Sequence, residues 1–148
     1  MDLTESTTSR ISYTLDSSLD SVNKLEQTAE QVAQRAGLDE DEVFRVSMAV
    51  REAAVNAVLH GNAYDPIKKM TAQFEVASGE LTIRITDQGK GLDPSTLPDP
   101  LAPENILSGS GRGIFLIRSF MDEVHFKLLQ PGTEITMVKH LGNAQTGG

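Results

Sequence analysis

The sequence predicts an α+β fold, a two-layer sandwich in which one mixed, mainly antiparallel sheet carries helices on one face. Two long segments repeat apolar residues with a helical period, five short segments alternate apolar and polar residues, and glycine-containing turns join four of the short segments in pairs. The chain has 148 residues, a length that suits one domain. We expect that domain at residues 10–141, with flexible tails at residues 1–9 and 142–148.

The first strand and the first helix follow each other directly. Residues 10–15 alternate apolar and polar side chains, which predicts a strand. Ser17 and Asp20 resemble a capping box. The apolar residues that follow at spacings of three and four predict a helix that ends at Gly37.

The second helix is predicted to lie inside the domain. It begins among the carboxylates of residues 39–42, because negative charges favour a helix N-terminus, and it should run to about His60 and stop at Gly61. Residues 48–59 are apolar nearly all round. A helix of this kind is packed on all sides, so its few polar side chains require a reason.

The rest of the chain predicts two hairpins, a long loop and a short helix. The paired strands are residues 70–76 with 81–85, and residues 124–128 with 135–137. Residues 88–113 contain four prolines and five glycines with no lasting period, and loops of this length in a compact domain are typical of lids. Residues 113–120 predict a short apolar helix.

The composition excludes several classes of protein. The net charge of −8 and the pI of about 4.8 oppose direct binding of nucleic acid, whose phosphates would be repelled. The absence of cysteine excludes disulfides and thiolate metal sites. Because no apolar run is long enough to cross a bilayer and no secretory signal is visible, we expect no membrane association and a cytoplasmic location.

Three polar residues of the second helix form the first candidate site. Glu52, Asn56 and His60 are spaced four apart and so share one helix face. The amide oxygen of asparagine can complete an octahedral Mg²⁺ shell, and glutamate can act as a base towards a hydroxyl group. An alternative interpretation pairs Glu52 with Arg51 or Arg45 and makes Asn56 a local cap.

The second candidate site follows an apolar strand directly, in the run from Asp87 to Gly91. A carboxylate at a strand end can accept the exocyclic amine of adenine, and Gly89 and Gly91 let the backbone approach the base closely. The alternative interpretation is a simple Asp-Gly turn.

The third candidate site opens the short helix, in the run from Gly109 to Gly113. Backbone N–H groups at a glycine-rich helix N-terminus bind anions, and Arg112 adds positive charge. The alternative interpretation is a flexible hinge. The spacing does not fit a Walker A loop, since no Gly-Lys-Ser/Thr follows.

In this order, the three sites resemble the N, G1 and G2 boxes of the GHKL superfamily, whose domains have the Bergerat ATP-binding fold. The resemblance extends from about Arg10 to His140 and is greatest to the bacterial anti-sigma factor serine/threonine protein kinases. The runs that carry it are Glu-Ala-Ala-x-Asn-Ala-x-x-His-Gly at residues 52–61, Asp-x-Gly-x-Gly at residues 87–91 and Ser-Gly-Arg-Gly-Ile-Phe-Leu-Ile-Arg at residues 110–118.

The resemblance implies a role for each matching residue. Glu52 would be the general base, Asn56 would bind Mg²⁺, Asp87 would hold the adenine of ATP, and His60 would support the pocket. The glycines and the arginine would shape the two ends of the pocket, Gly89 and Gly91 at the adenine and Gly109, Gly111, Arg112 and Gly113 at the phosphates.

The resemblance also implies partners. A kinase of this family would form a homodimer, sequester a sigma factor and phosphorylate a small anti-anti-sigma protein of the STAS type. Three alternatives remain open at this point: a switch kinase of the same fold that acts on scaffold proteins, a non-catalytic module that binds nucleotide and a partner, and an ATPase without a protein substrate.

Overall fold

The computed structural model describes residues 9–89, 112–129 and 131–142 of the chain. Its strands are β1 (Ser9–Asp16), β2 (Lys69–Ala77), β3 (Glu80–Thr86), β4 (Glu123–Leu128) and β5 (Thr133–His140). They form one sheet in the order β1-β2-β3-β5-β4, and every described pair is antiparallel. The α-helices are α1 (Leu19–Arg35), α2 (Glu40–Val55) and α3 (Arg112–Phe120). The α+β prediction is confirmed.

The core lies between one face of the sheet and the layer of helices. Alternate residues of the central strands are buried, and they pair across the sheet as Phe74 with Ile83 and Ile83 with Met137. Phe74 is 1% exposed, so its truncation to alanine would cost about 3–5 kcal/mol of stability. The buried residues on the helix side include Leu25, Val50, Ala53 and Ile117. Period-two strands and period-3.6 helices thus meet over one core.

The start of α1 corrects one prediction. The N-cap is Ser18 rather than Ser17: Ser18 has an extended backbone, and its hydroxyl accepts the N–H of Ser21 at 3.3 Å. The Ser17 hydroxyl instead donates to the carbonyl of Lys68 at 2.6 Å. Because that bond leads to the start of β2, Ser17 acts in tertiary contact rather than as a cap. The predicted stop at Gly37 is confirmed by its φ of 93°.

The second helix changes form before it ends. Asp39 caps α2 by accepting the N–H of Glu42 at 2.8 Å, as the carboxylate-rich start predicts. The α-helix ends at Val55, and a π-helical segment (Asn56–Gly61) continues it to the predicted stop. The N–H of Asn62 bonds the carbonyl of Ala57 at 2.7 Å, five residues back, which is the π-helical pattern.

Both predicted hairpins are confirmed. Ser78 and Gly79 both have positive φ, 54° and 76°, as a tight two-residue turn between antiparallel strands requires. The second hairpin pairs β4 with β5 through Val124 opposite Met137. The long loop falls mostly on residues 90–111, outside the described residues, and it leads into α3 where the short helix was predicted. Among the described residues, no helix is long and apolar enough to cross a membrane.

Candidate nucleotide site

Glu52 and Asn56 lie one turn apart, at the end of α2 and the start of the π-helical segment. The two arginines that could pair with Glu52 form ion pairs with other residues. Arg51 binds Glu26 of α1 at 2.9 Å, and Arg45 binds Glu42 at 2.6 Å. Within the described part of the chain Glu52 has no ion pair and no side-chain hydrogen bond. The alternative that pairs Glu52 with Arg51 or Arg45 is therefore wrong.

The amide of Asn56 has an unmet hydrogen-bonding requirement. Its Nδ2 atom is buried and finds no acceptor among residues 9–89, 112–129 and 131–142. A buried donor without a partner costs about 1–3 kcal/mol. The alternative that Asn56 caps a local group is not supported, because neither its Oδ1 nor its Nδ2 atom makes a hydrogen bond within the described part of the chain. An unsatisfied group of this kind is typical of a ligand site.

Gly113, near the start of α3, faces both of these side chains. A Cβ atom placed on Gly113 would lie 3.4 Å from Glu52 Oε1 and 3.5 Å from Asn56 Nδ2. A side chain at Gly113 would therefore contact both polar groups, and glycine leaves that position free of side-chain atoms. The structure brings Gly113, the last residue of the third predicted site, beside two residues of the first, although they are about sixty residues apart in sequence.

Asp87 follows β3 directly and is 8% exposed. Its Oδ1 atom accepts the N–H of Gly89 at 2.9 Å, and its own N–H donates to the carbonyl of Thr133 at 3.0 Å. Burial raises the pKa of the Asp87 carboxyl group, and the hydrogen bonds from Gly89 and Thr133 and the charge of Lys68 offset part of this rise. A carboxylate kept in such surroundings is a candidate for ligand binding.

Glycine is required where the π-helical segment meets Asp87. A Cβ atom on Gly61 would lie 2.5–2.8 Å from the atoms of the Asp87 carboxylate, closer than real contacts allow. A Cβ atom on Gly89 would overlap the backbone of Gly61. The π-helical segment therefore begins at Asn56 and ends against Asp87, which joins the first and second predicted sites.

Asn62 belongs to the same junction, and the sequence analysis assigned it no role. It is 1% exposed. Its Nδ2 donates to Ser17 Oγ at 2.8 Å and to the carbonyl of Lys69 at 3.0 Å, and its Oδ1 accepts the N–H of Gln88 at 2.8 Å. The signal available in the sequence was a second asparagine directly after the predicted helix stop.

The described residues cover part of the predicted site. Glu52, Asn56, Asp87, Gly89 and Gly113 are described with their surroundings, and they lie along one continuous region. The predictions for Gly91, Gly109 and Gly111 fall outside the described residues, as do those for the side chains of His60 and Arg112.

The residues present fit a magnesium nucleotide. The buried Nδ2 of Asn56 is a donor that phosphate oxygens would satisfy, and amide and carboxylate oxygens are the ligands that Mg²⁺ prefers. Gly113 leaves space beside Asn56 at a helix N-terminus, where anions are favoured. Asp87 offers a buried acceptor for an amine.

A second polar cluster lies away from this region. Glu80, Glu123 and His140 lie within 4.8 Å of one another, and they are the grouping with metal-ligand spacing in the described part of the chain. Glu80 begins β3, so the cluster is at the opposite end of that strand from Asp87. The hydrogen bond that His140 donates to the carboxylate of Glu123 raises the pKa of His140, as in an exposed ion pair.

Comparison with known proteins gives consistent results. Residues 15–139 match the family described as histidine kinase-like ATPase domain. A serine-protein kinase RsbW of Staphylococcus epidermidis is 34% identical over 148 residues, covering 95% of this chain and 92% of that protein. A serine-protein kinase RsbW of Staphylococcus aureus is 32% identical over 142 residues, covering 91% and 89%.

Solved structures support the fold. The RsbU and RsbW domains of a Mycobacterium tuberculosis protein match with a TM-score of 0.65 at 16% identity, over 90% of this chain and 32% of that one. A histidine kinase domain of a blue-light activated histidine kinase from Erythrobacter litoralis matches with a TM-score of 0.57 at 17% identity, over 84% and 63%. This chain thus spans less than two thirds of either solved chain.

Proposed function

The chain belongs to the histidine kinase-like ATPase domain family, together with relatives named serine-protein kinase RsbW, and we propose that it is an ATP-dependent serine/threonine protein kinase that acts as an anti-sigma factor. The observation that carries the proposal is the placement of Glu52 and Asn56 beside Gly113. A carboxylate and a buried amide, both without partners in the described residues, lie beside Gly113 near the start of α3. A core helix retains such groups when a ligand satisfies them.

Each residue of the site has a proposed task in nucleotide binding. Asp87 accepts the exocyclic amine of adenine, and Asn56 contributes its amide oxygen to Mg²⁺. The glycines and Arg112 surround the nucleotide, with His60 as support. They are Gly89 and Gly91 on the adenine side and Gly109, Gly111, Arg112 and Gly113 on the phosphate side.

Phosphoryl transfer requires the protein to position the reacting groups rather than to form a covalent bond with them. When bound, Mg-ATP supplies the phosphoryl group and the cation that neutralises its charge. Glu52 accepts a hydrogen bond from the serine or threonine hydroxyl of the substrate, which orients the hydroxyl oxygen, and it takes up the proton as that oxygen reacts. The helix N-terminus at Gly113 favours the negative charge of the phosphates.

The proposed partners follow from the family. The protein would act as a homodimer, hold a sigma factor and phosphorylate a small STAS-type anti-anti-sigma protein, and it would do so in the cytoplasm, where ATP is available. The acidic surface, with a net charge of −8, opposes a direct contact with nucleic acid. Regulation of transcription would therefore run through the sigma factor.

A substitution at Glu52 tests the catalytic proposal. Glu52→Gln keeps the size of the side chain and removes its basicity, and Glu30→Gln makes the same change on the exposed side of α1. We expect Glu52→Gln to bind a fluorescent ATP analogue within about threefold of wild type and to lose phosphoryl transfer by about 10²–10⁴-fold. Glu30→Gln should retain both properties.

Transfer is measured with labelled ATP in a lysate of the source organism, followed by identification of phosphoserine and phosphothreonine. Capture on the tagged protein with Mg-ATP and with Mg-ADP identifies the bound sigma factor. Tight nucleotide binding without transfer by the wild-type protein would instead establish a non-catalytic module. Transfer to scaffold proteins, with no sigma factor captured, would establish a switch kinase.

A further inference from the structure

We propose that Asn62 is a positioning residue that holds Asp87 in register with the π-helical segment and thereby sets the preference for adenine over guanine nucleotides. The inference rests on the proposed role of Asp87 as the acceptor of the adenine amine. Asn62 itself contacts the loop that carries Asp87 rather than the nucleotide.

The side chain of Asn62 connects three separate parts of the chain. Its amide donates to Ser17, between β1 and α1, and to Lys69 at the start of β2, and it accepts from Gln88, the residue after Asp87. All three bonds are 2.8–3.0 Å long. Because the residue is 1% exposed, water cannot readily replace a lost bond.

The backbone beside Asp87 is fixed from two sides as a result. On one side, Asn62 accepts the N–H of Gln88, while Gln88 Oε1 accepts the N–H of Lys69 at 2.7 Å. On the other side, the N–H of Asp87 bonds Thr133 of β5. Loss of the Asn62 bonds would leave the first side held only by the bond between Gln88 and Lys69, and it would not affect the second side.

The position of Asp87 matters because Gly61 packs directly against its carboxylate. The carboxylate therefore has little space to move as long as Asn62, the next residue, stays in place. Adenine presents an amine to an acceptor at this position, whereas guanine presents a carbonyl oxygen that a carboxylate repels. A fixed polar group that discriminates in this way loses selectivity when it can move aside.

Nucleotide binding by five proteins tests the inference. The wild type, Asp87→Asn, Asn62→Asp, Ser17→Ala and Val32→Ala are titrated with fluorescent ATP and GTP analogues at a temperature where thermal unfolding shows all five folded. Asn62→Asp keeps an acceptor for Gln88 and removes both donors. Ser17→Ala removes one partner of Asn62 without changing Asn62. Val32→Ala destabilises the α1 core away from the junction, since Val32 is buried there.

The ratio of GTP to ATP dissociation constants is the readout, because general destabilisation does not change it. We expect a ratio of about 100 or more in the wild type and in Val32→Ala. It should fall by about tenfold in Asn62→Asp and to a smaller extent in Ser17→Ala. Such a fall, with no fall in Val32→Ala, supports the inference.

Asp87→Asn distinguishes a failure of the proposed role of Asp87 from a failure of the proposed role of Asn62. If it leaves the ratio unchanged, the proposed role of Asp87 is wrong and the inference falls with it. If Asp87→Asn lowers the ratio while both Asn62→Asp and Ser17→Ala keep the wild-type value, only the role of Asn62 is overturned. Should Asn62→Asp fail to fold, Ser17→Ala alone decides, with a wild-type ratio counting against the inference.

Discussion

Replacement of Asn56 by leucine should raise the Tm of the nucleotide-free protein and abolish the rise in Tm that Mg-ATP produces. The Nδ2 atom of Asn56 is buried without a partner in the described residues. An unsatisfied donor of this kind costs about 1–3 kcal/mol. Leucine has nearly the same branching and size, so Asn56→Leu removes this cost and leaves no large cavity.

The size of both effects can be worked out in advance. Because Asn56 is only partly buried as a whole residue, we expect a gain near the lower end, about 1–2 kcal/mol. For a domain of this length that gain corresponds to a rise in Tm of roughly 2–8 °C. Mg-ATP at one hundred times its Kd would stabilise the wild type by about 2.7 kcal/mol, roughly 5–11 °C, and would not stabilise Asn56→Leu.

Thermal unfolding followed by circular dichroism, with and without Mg-ATP, measures both effects. Asn23→Leu is the control, because Asn23 is exposed on α1 and bonds Arg51 away from the site. The control should keep the full response to Mg-ATP. A lower Tm of Asn56→Leu without nucleotide would show that the amide is satisfied in the folded protein, and an undiminished response to Mg-ATP would refute its role in the site.

Three further predictions concern individual groups. Burial raises the pKa of Asp87, so the folded state disfavours its charged form at neutral pH. Asp87→Asn should therefore raise the Tm at pH 7. The difference in Tm between the variant and the wild type should shrink as the pH falls through the raised pKa of Asp87 towards the ordinary value of 3.8. Gly113→Ala should change the free energy of unfolding by less than about 1 kcal/mol, because the added Cβ meets its neighbours at 3.4 Å or more. The same substitution should weaken Mg-ATP binding by at least about tenfold in a titration, because the methyl group occupies the space beside Glu52. The hydrogen bond to Glu123 raises the pKa of His140, and the hydrogen bonds from His125 and His140 lower the pKa of Glu123, so the contribution of the His140–Glu123 pair is complete between about pH 4.5 and 6.5. It is lost as the pH rises through the raised pKa of His140. The Tm of His140→Gln should therefore fall below wild type in that range, converge with it at alkaline pH, and converge at all pH values in high salt.

The secondary structure was predictable because it depends on local patterns. The alternation in residues 70–76 and 81–85, with Ser78-Gly79 between them, is enough to define a hairpin whatever packs against it. The carboxylates before α2 are enough to define its start. The error at Ser17 shows the limit of local patterns. Ser17 and Ser18 are both suitable caps, and Ser18 is the cap in the structure because the Ser17 hydroxyl bonds the distant carbonyl of Lys68.

The candidate site was predictable in its residues but not in its arrangement. Glu52 and Asn56 stood out because a polar group on an apolar helix is costly. Their freedom from partners was not visible in the sequence, because Arg51 is adjacent to Glu52 and the tertiary structure pairs it with Glu26 of α1 instead. The change to a π-helix at Asn56 was equally invisible, since no local pattern in the sequence distinguishes it from a continued α-helix.

The sequence by itself determined which segments are helices and strands, which of their faces are apolar and which polar side chains are out of place there. These properties reflect a balance between each residue and its near neighbours, or between each residue and water. The tertiary structure alone decided that Gly113 lies beside Glu52, that Gly61 packs on Asp87 and that Asn62 bonds three separate segments. A hydrogen bond is made with whichever group the packing of the core brings within about 3 Å, and that choice is made among residues far apart in the chain.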